Sequence, residues 1–417
     1  MKRLPSELRP TSSADASPAA AGSRAATTWI VAGLSMFQPL STDLYLPTLP
    51  GIAVDFAAST ASVQWTLSAF IGTFGVWQLV AGPVSDRYGR RAVILAGAGV
   101  YALASVFCAV APSIGMLILG RMLQGIGACT CLVGARGMVR DLFTPTDGAR
   151  LLATAAGVMS IAPLLGPLLG ARLFETFGWR SAFVAVTVFA LILLAATALT
   201  LRETNTRRNP DALRLAPMFS TYRAVAHSRA FRAYTLVAAA TYAGLFAFIS
   251  GSSFVLMRVL GLSSTSFALS FATMVAGYLV GTLICQRLVR RGLQATIQTG
   301  AVLQLLAGVA LAAMALAGWH VPAAITLPMF VFGASHGIIQ APAQSGAIAP
   351  FRHAAGAAAA LLGFCMMAVA ATVGVWIGVS YNGTVYPLTL TIAFCAVVCC
   401  VVAFTLVRRD GDVAHHG

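Results

Sequence analysis

The stretch Gly82-Pro-Val-Ser-Asp86-Arg87-Tyr-Gly89-Arg90-Arg91 lies between two apolar runs, at roughly 61–82 and 92–111, each long enough to cross a bilayer. A charged connection this short reads as a tight turn at a membrane surface. Gly82 and Gly89 would allow close approach and unusual φ values there, and Asp86 is the one acid among Arg87, Arg90 and Arg91. Outward from this turn the chain holds about twelve such apolar segments. They lie at roughly 28–47, 61–82, 92–111, 114–138, 150–171, 180–201, 232–256, 265–288, 295–318, 321–345, 355–378 and 386–407.

Composition supports this reading, with 58% hydrophobic and only 9% charged residues, where soluble domains carry about 25% charged. Inside lipid no water satisfies exposed backbone groups, so spanning segments must be helices or closed barrels, and nothing here alternates with a strand period. An all-α polytopic membrane protein of twelve transmembrane helices is the expected fold.

The net charge of +15 invites a nucleic-acid reading, but its placement argues otherwise. About 23 of the 27 Lys and Arg fall at one side of the predicted membrane, leaving Arg172, Arg180 and Arg258 in the opposite loops. That bias puts both termini in the cytoplasm, and Trp65, Trp179, Trp319 and Trp376 fall near the outer ends as an interfacial belt. The lipid bilayer, not nucleic acid, is the expected partner. All eight Cys lie in apolar segments without metal-site spacing and read as small buried hydrophobes.

One sizeable polar break, 202–231, divides the segments six and six. The expected organisation is a disordered tail at 1–27, a first bundle at 28–201, a cytoplasmic linker at 202–231, a second bundle at 232–407 and a tail at 408–417. Such repeats build a site at the bilayer midplane and rock about it. A weak internal echo, Gly281-Thr-Leu-Ile-Cys285-Gln-Arg287, follows the eighth segment with Cys285 where the first copy has Asp86.

Charge within a spanning helix costs about 2.5–3.5 kcal/mol on insertion scales and needs a reason. Asp43 lies in Pro39-Leu-Ser-Thr-Asp43-Leu-Tyr45-Leu-Pro47, where prolines weaken regular helix bonding. Burial disfavours an ionised carboxylate, which makes Asp43 the expected carrier of a coupling proton. Arg121 opens Gly120-Arg121-Met-Leu-Gln124-Gly125-Ile-Gly127-Ala128; it keeps its charge and so must face a cavity or an acid, and it is expected to share in proton coupling by lowering the pKa of a nearby carboxylate. The fifth segment holds Pro163-Leu-Leu-Gly166-Pro167-Leu-Leu-Gly170-Ala171, which predicts a kink packed closely on a neighbour. Gln38, Tyr45, Tyr242, Phe246, His336 and Gln340 are expected to line a substrate cavity. No GxxxxGK[ST] loop, metal cluster or Ser/His/Asp set is present, so neither ATP, a cofactor, a metal nor enzyme chemistry is expected.

The Gly82–Arg91 spacing resembles the cytoplasmic loop signature of the major facilitator superfamily of transporters. The resemblance implies that Asp86 docks on a helix end of the other half while Arg90 pairs with an acid at the inner end of the fourth helix, for which Asp141 is suitably placed. The run from Arg121 to Gly127 resembles that family's helix 4 motif. The run from Ala162 to Ala171 resembles its antiporter motif, with Ala162 and Ala171 at two glycine positions. The first-segment phrase from Ser41 to Pro50 and the run from Ala349 to Gly356 resemble the bicyclomycin and chloramphenicol resistance branch of the twelve-helix drug:proton antiporters. Some relatives carry a second acid where this chain has Ser35.

The resemblance implies a monomer in the bacterial inner membrane that exports small amphipathic drugs, of phenicol or bicyclomycin type, in exchange for protons. The alternative is a proton-coupled exporter or importer of a small metabolite, such as a sugar, nucleoside or amino-acid derivative.

Overall fold

The computed structural model describes residues 18–159, 161–205 and 208–407. Its described residues form sixteen α-helices and no strand. They are α1 (Pro18–Ser35), α2 (Phe37–Asp43), α3 (Leu49–Asp55), α4 (Thr60–Tyr88), α5 (Arg90–Ala109), α6 (Ile114–Leu142), α7 (Pro145–Met159) and α8 (Ile161–Phe177). After them come α9 (Arg180–Thr200), α10 (Leu215–His227), α11 (Arg229–Ser253), α12 (Ser264–Leu288), α13 (Leu293–Leu316), α14 (Pro322–Ile348), α15 (Ala355–Ser380) and α16 (Tyr386–Thr405). Eleven helical paths among the described residues are long and apolar enough to span a membrane.

The expected twelfth, at 28–47, is instead a broken path of α1, α2, a 3₁₀ turn at Leu46–Thr48 and α3 that continues to Asp55. Pro39, Pro47 and Pro50 remove backbone donors along it. The chain recovers with Tyr45 N–H to the Thr42 carbonyl at 3.2 Å and Thr48 N–H to the Tyr45 carbonyl at 3.0 Å. Asp43 therefore lies in the middle of the path.

Helices also extend into two of the expected connecting segments. The tail predicted at 1–27 is helical from Pro18 onward, since Pro18-Ala-Ala-Ala supplies a first-turn proline and the best helix formers; residues 1–17 and 408–417 lie outside the described residues. The linker predicted at 202–231 contains α10, and α11 already begins at Arg229, with Ser228 capping the Phe231 N–H at 3.4 Å.

Helices α4, α5, α6 and α9 pack together, as do α11 to α16. Two seams join the first half, to which α8 also belongs, and the second: α4 along α15, and α8 against α12. The α4–α15 seam is lined by small residues. A Cβ on Gly72 would meet Ala371 at 3.6 Å, and one on Gly378 would stand 2.8 Å from Gln64 Cβ and 3.1 Å from Ala61 Cα. The outward faces are apolar, with Leu103, Ile192, Leu199, Leu283 and Phe394 exposed, as suits helices surrounded by lipid.

The two ends differ. Turns near 56–59, 178–179 and 260–263 lie at one end, where the halves touch: Arg258 donates to the Pro50 carbonyl at 2.9 Å, Thr265 to Glu175 at 3.1 Å, and Gln64 to the Ser250 carbonyl. The other end holds the Arg-rich turns, here termed the basic end, and a cavity of about 630 Å³ separates the halves there.

Candidate functional site: an interface cavity at the helix 1 break

Asp43 ends α2, is 4% exposed, and its Oδ2 has no hydrogen-bond partner among the described residues. It is held from behind by α8, where a Cβ on Gly166 would stand 2.8 Å from Asp43 Cβ and one on Gly170 would strike the Leu44 carbonyl. The Gly-Pro run of the fifth segment thus packs on the break in helix 1, and Pro167 lies buried between its two glycines.

In front of Asp43 lies a cavity of about 320 Å³ at the interface of the halves. Gln38, Thr42, Asp43 and Pro163 line it from one side, and Tyr242, Phe246, Tyr278 and His336 from the other. His336 Nδ1 is bonded to Thr241 Oγ1 at 3.1 Å, and its ring sits 6.1 Å from that of Tyr242 and 5.9 Å from that of Tyr278. A volume of this size, mostly apolar with a few converging polar groups, is typical of drug-sized ligand sites.

Two of the six expected cavity residues sit elsewhere. Tyr45 turns inward, its Oη 2.6 Å from Thr66 Oγ1, and Gln340 donates to Met366 Sδ at 3.5 Å. Tyr278 and Thr241, by contrast, carried no signal in the sequence beyond being polar groups in apolar runs.

Arg121 faces neither a cavity nor an acid, which corrects the expectation. It is fully buried, donates from Nη1 to Gln124 Oε1 at 2.8 Å, and forms no ion pair among the described residues. Its guanidinium carbon lies 4.3 Å from the Phe70 ring centroid and 4.7 Å from that of Tyr45. Two ring faces supply the negative potential that a carboxylate would, worth about 2 kcal/mol or more each when desolvated. Gln124 passes the order on, donating to Ser105 Oγ at 2.7 Å, and Ser105 donates to the Tyr101 carbonyl at 2.7 Å. Gly125 and Gly127 let α6 approach: a Cβ on Gly127 would stand 2.7 Å from both the Gly97 carbonyl and the Tyr101 nitrogen.

At the basic end, Arg90 is 5% exposed and holds three groups. Its Nη2 lies 2.6 Å from Asp86, its Nε 2.9 Å from Asp141 and its Nη1 3.0 Å from Ser85 Oγ. Asp86, in the last turn of α4, thus pairs across the Gly89 turn with the first residue of α5, and no ion pair joins it to the second half among the described residues. Arg87 lies over its neighbour Tyr88. Gly89 has φ +99°, a value that L side chains rarely adopt. Gly82 is a helical residue with open space at its Cβ position and makes no close approach.

The residue that the sequence reading missed is Glu203. Its carboxylate accepts from the backbone N–H of Arg90 at 2.8 Å, Arg91 at 3.3 Å, and Thr204 and Asn205 at 3.0 Å each. It therefore caps the start of α5, where a helix favours negative charge. Partial burial opposes ionisation, but the four N–H groups outweigh it and hold the Glu203 carboxyl below the usual glutamate range. Arg91 does the reverse, donating to the Leu201 carbonyl at 2.7 Å and the Ala198 carbonyl at 2.9 Å at the end of α9.

The chain matches the Major Facilitator Superfamily over residues 31–375. It is 29% identical over 365 residues to an uncharacterized MFS-type transporter, YdgK, of Bacillus subtilis, covering 86% of this chain and 89% of that one. It is 27% identical over 381 residues to a bicyclomycin resistance protein homolog of Haemophilus influenzae, covering 90% and 95%. It is 30% identical over 342 residues to multidrug resistance protein MdtL of Escherichia fergusonii, covering 80% and 83%. The solved D-xylose–proton symporter shares the fold, with a TM-score of 0.70 at 14% identity over 92% of this chain and 98% of that one. Helical architecture, paired bundles and matched sequence agree: this chain is a multi-pass membrane transporter of the Major Facilitator Superfamily, neither an enzyme nor dependent on a cofactor.

Proposed function

We propose that the protein exports small amphipathic drugs, of phenicol or bicyclomycin type, in exchange for protons, with Asp43 as the proton carrier. The observation that carries this is the lone, buried carboxylate at the break in helix 1, facing a drug-sized interface cavity and backed by the Gly166-Pro167-Gly170 run. The resistance-protein relatives support the drug class.

In this reading the basic end faces the cytoplasm of a bacterial inner membrane, with both termini inside and the chain a monomer. The conformation described is then inward-facing. A drug entering the cavity displaces the proton from Asp43 to the cytoplasm, and reprotonation from outside returns the empty carrier. Arg121 holds α6 against Phe70 of α4 and Tyr45 of the first path. The Asp86–Arg90–Asp141 set pairs only within the first half in this state, and acts as the latch by docking on the second half when the basic end closes. One proton crossing ~100 mV supplies about 2.3 kcal/mol, near a fiftyfold gradient of a neutral solute.

The test uses everted vesicles with an imposed proton gradient, across phenicols, bicyclomycin and cationic dyes. Wild type should release protons on drug addition, and Asp43→Asn should bind drug without moving protons. Unchanged proton-coupled uptake by Asp43→Asn would sink the mechanism, and no response to any drug would favour the metabolite alternative.

A further inference from the structure

The cavity at the basic end carries charge that its own protein leaves unmatched. It lies between α4 and α6 on one side and α10 and the start of α15 on the other. Asp86 reaches it already paired with Arg90 at 2.6 Å, and Asp211 reaches it paired with Arg214 at 3.0 Å. Arg136 and Arg140 line it too, and neither joins an ion pair among the described residues. They stand four positions apart on α6, a spacing at which like charges repel.

Arg140 adds a second conflict. Its Nη1 lies 3.5 Å from where a Cβ on Gly356 would stand, in the first turn of α15. Ala354 gives that helix no side-chain cap, so its leading N–H groups present partial positive charge. A guanidinium beside a helix N-terminus is repulsive, and an anion between the two reverses the sign.

Much of the remaining wall is apolar, including Val133, Met218, Ile348 and Ala360.

We infer that this cavity binds amphipathic organic anions. A carboxylate, sulfonate or phosphate sits between Arg136, Arg140 and the first turn of α15, and the apolar body lies along the wall. The inference rests on the export reading and narrows its substrates: anionic amphiphiles are favoured at this face and cationic dyes are repelled.

The test uses the full chain in nanodiscs of zwitterionic lipid, with anilinonaphthalene sulfonate as probe and N-phenylnaphthylamine as its uncharged counterpart. The sulfonate should bind saturably. The Arg136→Gln/Arg140→Gln variant should weaken it by about tenfold to a hundredfold, the worth of charge-assisted hydrogen bonds, and leave the neutral dye alone. Arg136→Lys/Arg140→Lys should restore most of the sulfonate binding. Gly356→Asp, which places an acid in a helix first turn, should compete with the sulfonate while preserving the fold.

Equal sulfonate affinity in wild type and both the Gln and Asp variants overturns the proposal, as does parallel loss of both dyes. Displacement of the sulfonate by inorganic phosphate, or by phosphatidylglycerol added to the nanodiscs, would assign the site to a free anion or a lipid headgroup and equally overturn it. Binding is read without a proton gradient, so loss of Asp43-dependent transport leaves this result standing, and the reverse also holds.

Discussion

Gly378→Ala should wedge open the end of the molecule where the halves now touch. The new Cβ would stand 2.8 Å from Gln64 Cβ and 3.1 Å from Ala61 Cα, atoms that no rotamer change can move. Reaching an ordinary separation of 3.4 Å requires α4 and α15 to part by about 0.6 Å at that level. Overpacking of this kind costs about 1–3 kcal/mol. If the contact exists only while that end is closed, the whole cost falls on the closed state and shifts the balance between states by about 5–150-fold.

Spin labels at Arg172 on α8 and Leu269 on α12, both exposed and on opposite halves near this end, would report it by pulsed distance measurement. A longer-distance population should grow in the variant. Gly72→Ala is the control, because its Cβ meets Ala371 at an ordinary 3.6 Å and should change nothing. A folded Gly378→Ala protein with the wild-type distance distribution would refute the idea that the α4–α15 seam carries closure.

Other perturbations follow from the same geometry. Arg121→Lys keeps the charge but loses the planar stacking on both rings and the Gln124 bond, so thermal unfolding in detergent should show about 2–4 kcal/mol of destabilisation. Arg121→Met removes the buried charge and should destabilise less than Lys while still abolishing transport; the opposite order of stabilities would contradict the ring-sandwich account. Glu203→Gln should cost about 0.5–2 kcal/mol as a lost helix cap. Because the folded-state Glu203 carboxyl titrates below its unfolded value, its contribution is complete above the ordinary glutamate range and is lost as pH falls toward the folded value. The wild-type advantage over Gln should therefore fade on acidification, and a pH-independent difference would remove the carboxylate from the explanation.

The architecture and the position of Asp43 were legible because each rests on a local conflict: apolar runs of spanning length, and a costly acid among prolines. The antiporter-like run was legible for the same reason, since glycine and proline announce close approach. The surroundings of Arg121 were not. Tyr45 and Phe70 look like ordinary apolar filling, and only the assembled bundle turns them face-on to a cation. Glu203 was hidden among the charges of a polar connection. The second half of helix 1 was missed because Leu46–Asp55 holds two prolines and an acid, which reads as a loop, although packing on α8 and α4 keeps it helical.

The Glu203 clamp sets an order of events during synthesis. Its acceptor oxygens arrive 113 residues after the Arg90 N–H they bind. At ~5–20 residues per second that is a wait of roughly 6–23 s, during which the start of α5 has no cap from Glu203. The Arg-rich turn can be threaded and oriented early, but it becomes rigid only once the sixth span has been made. The first half thus carries its own completion signal, delivered before the second half has left the ribosome.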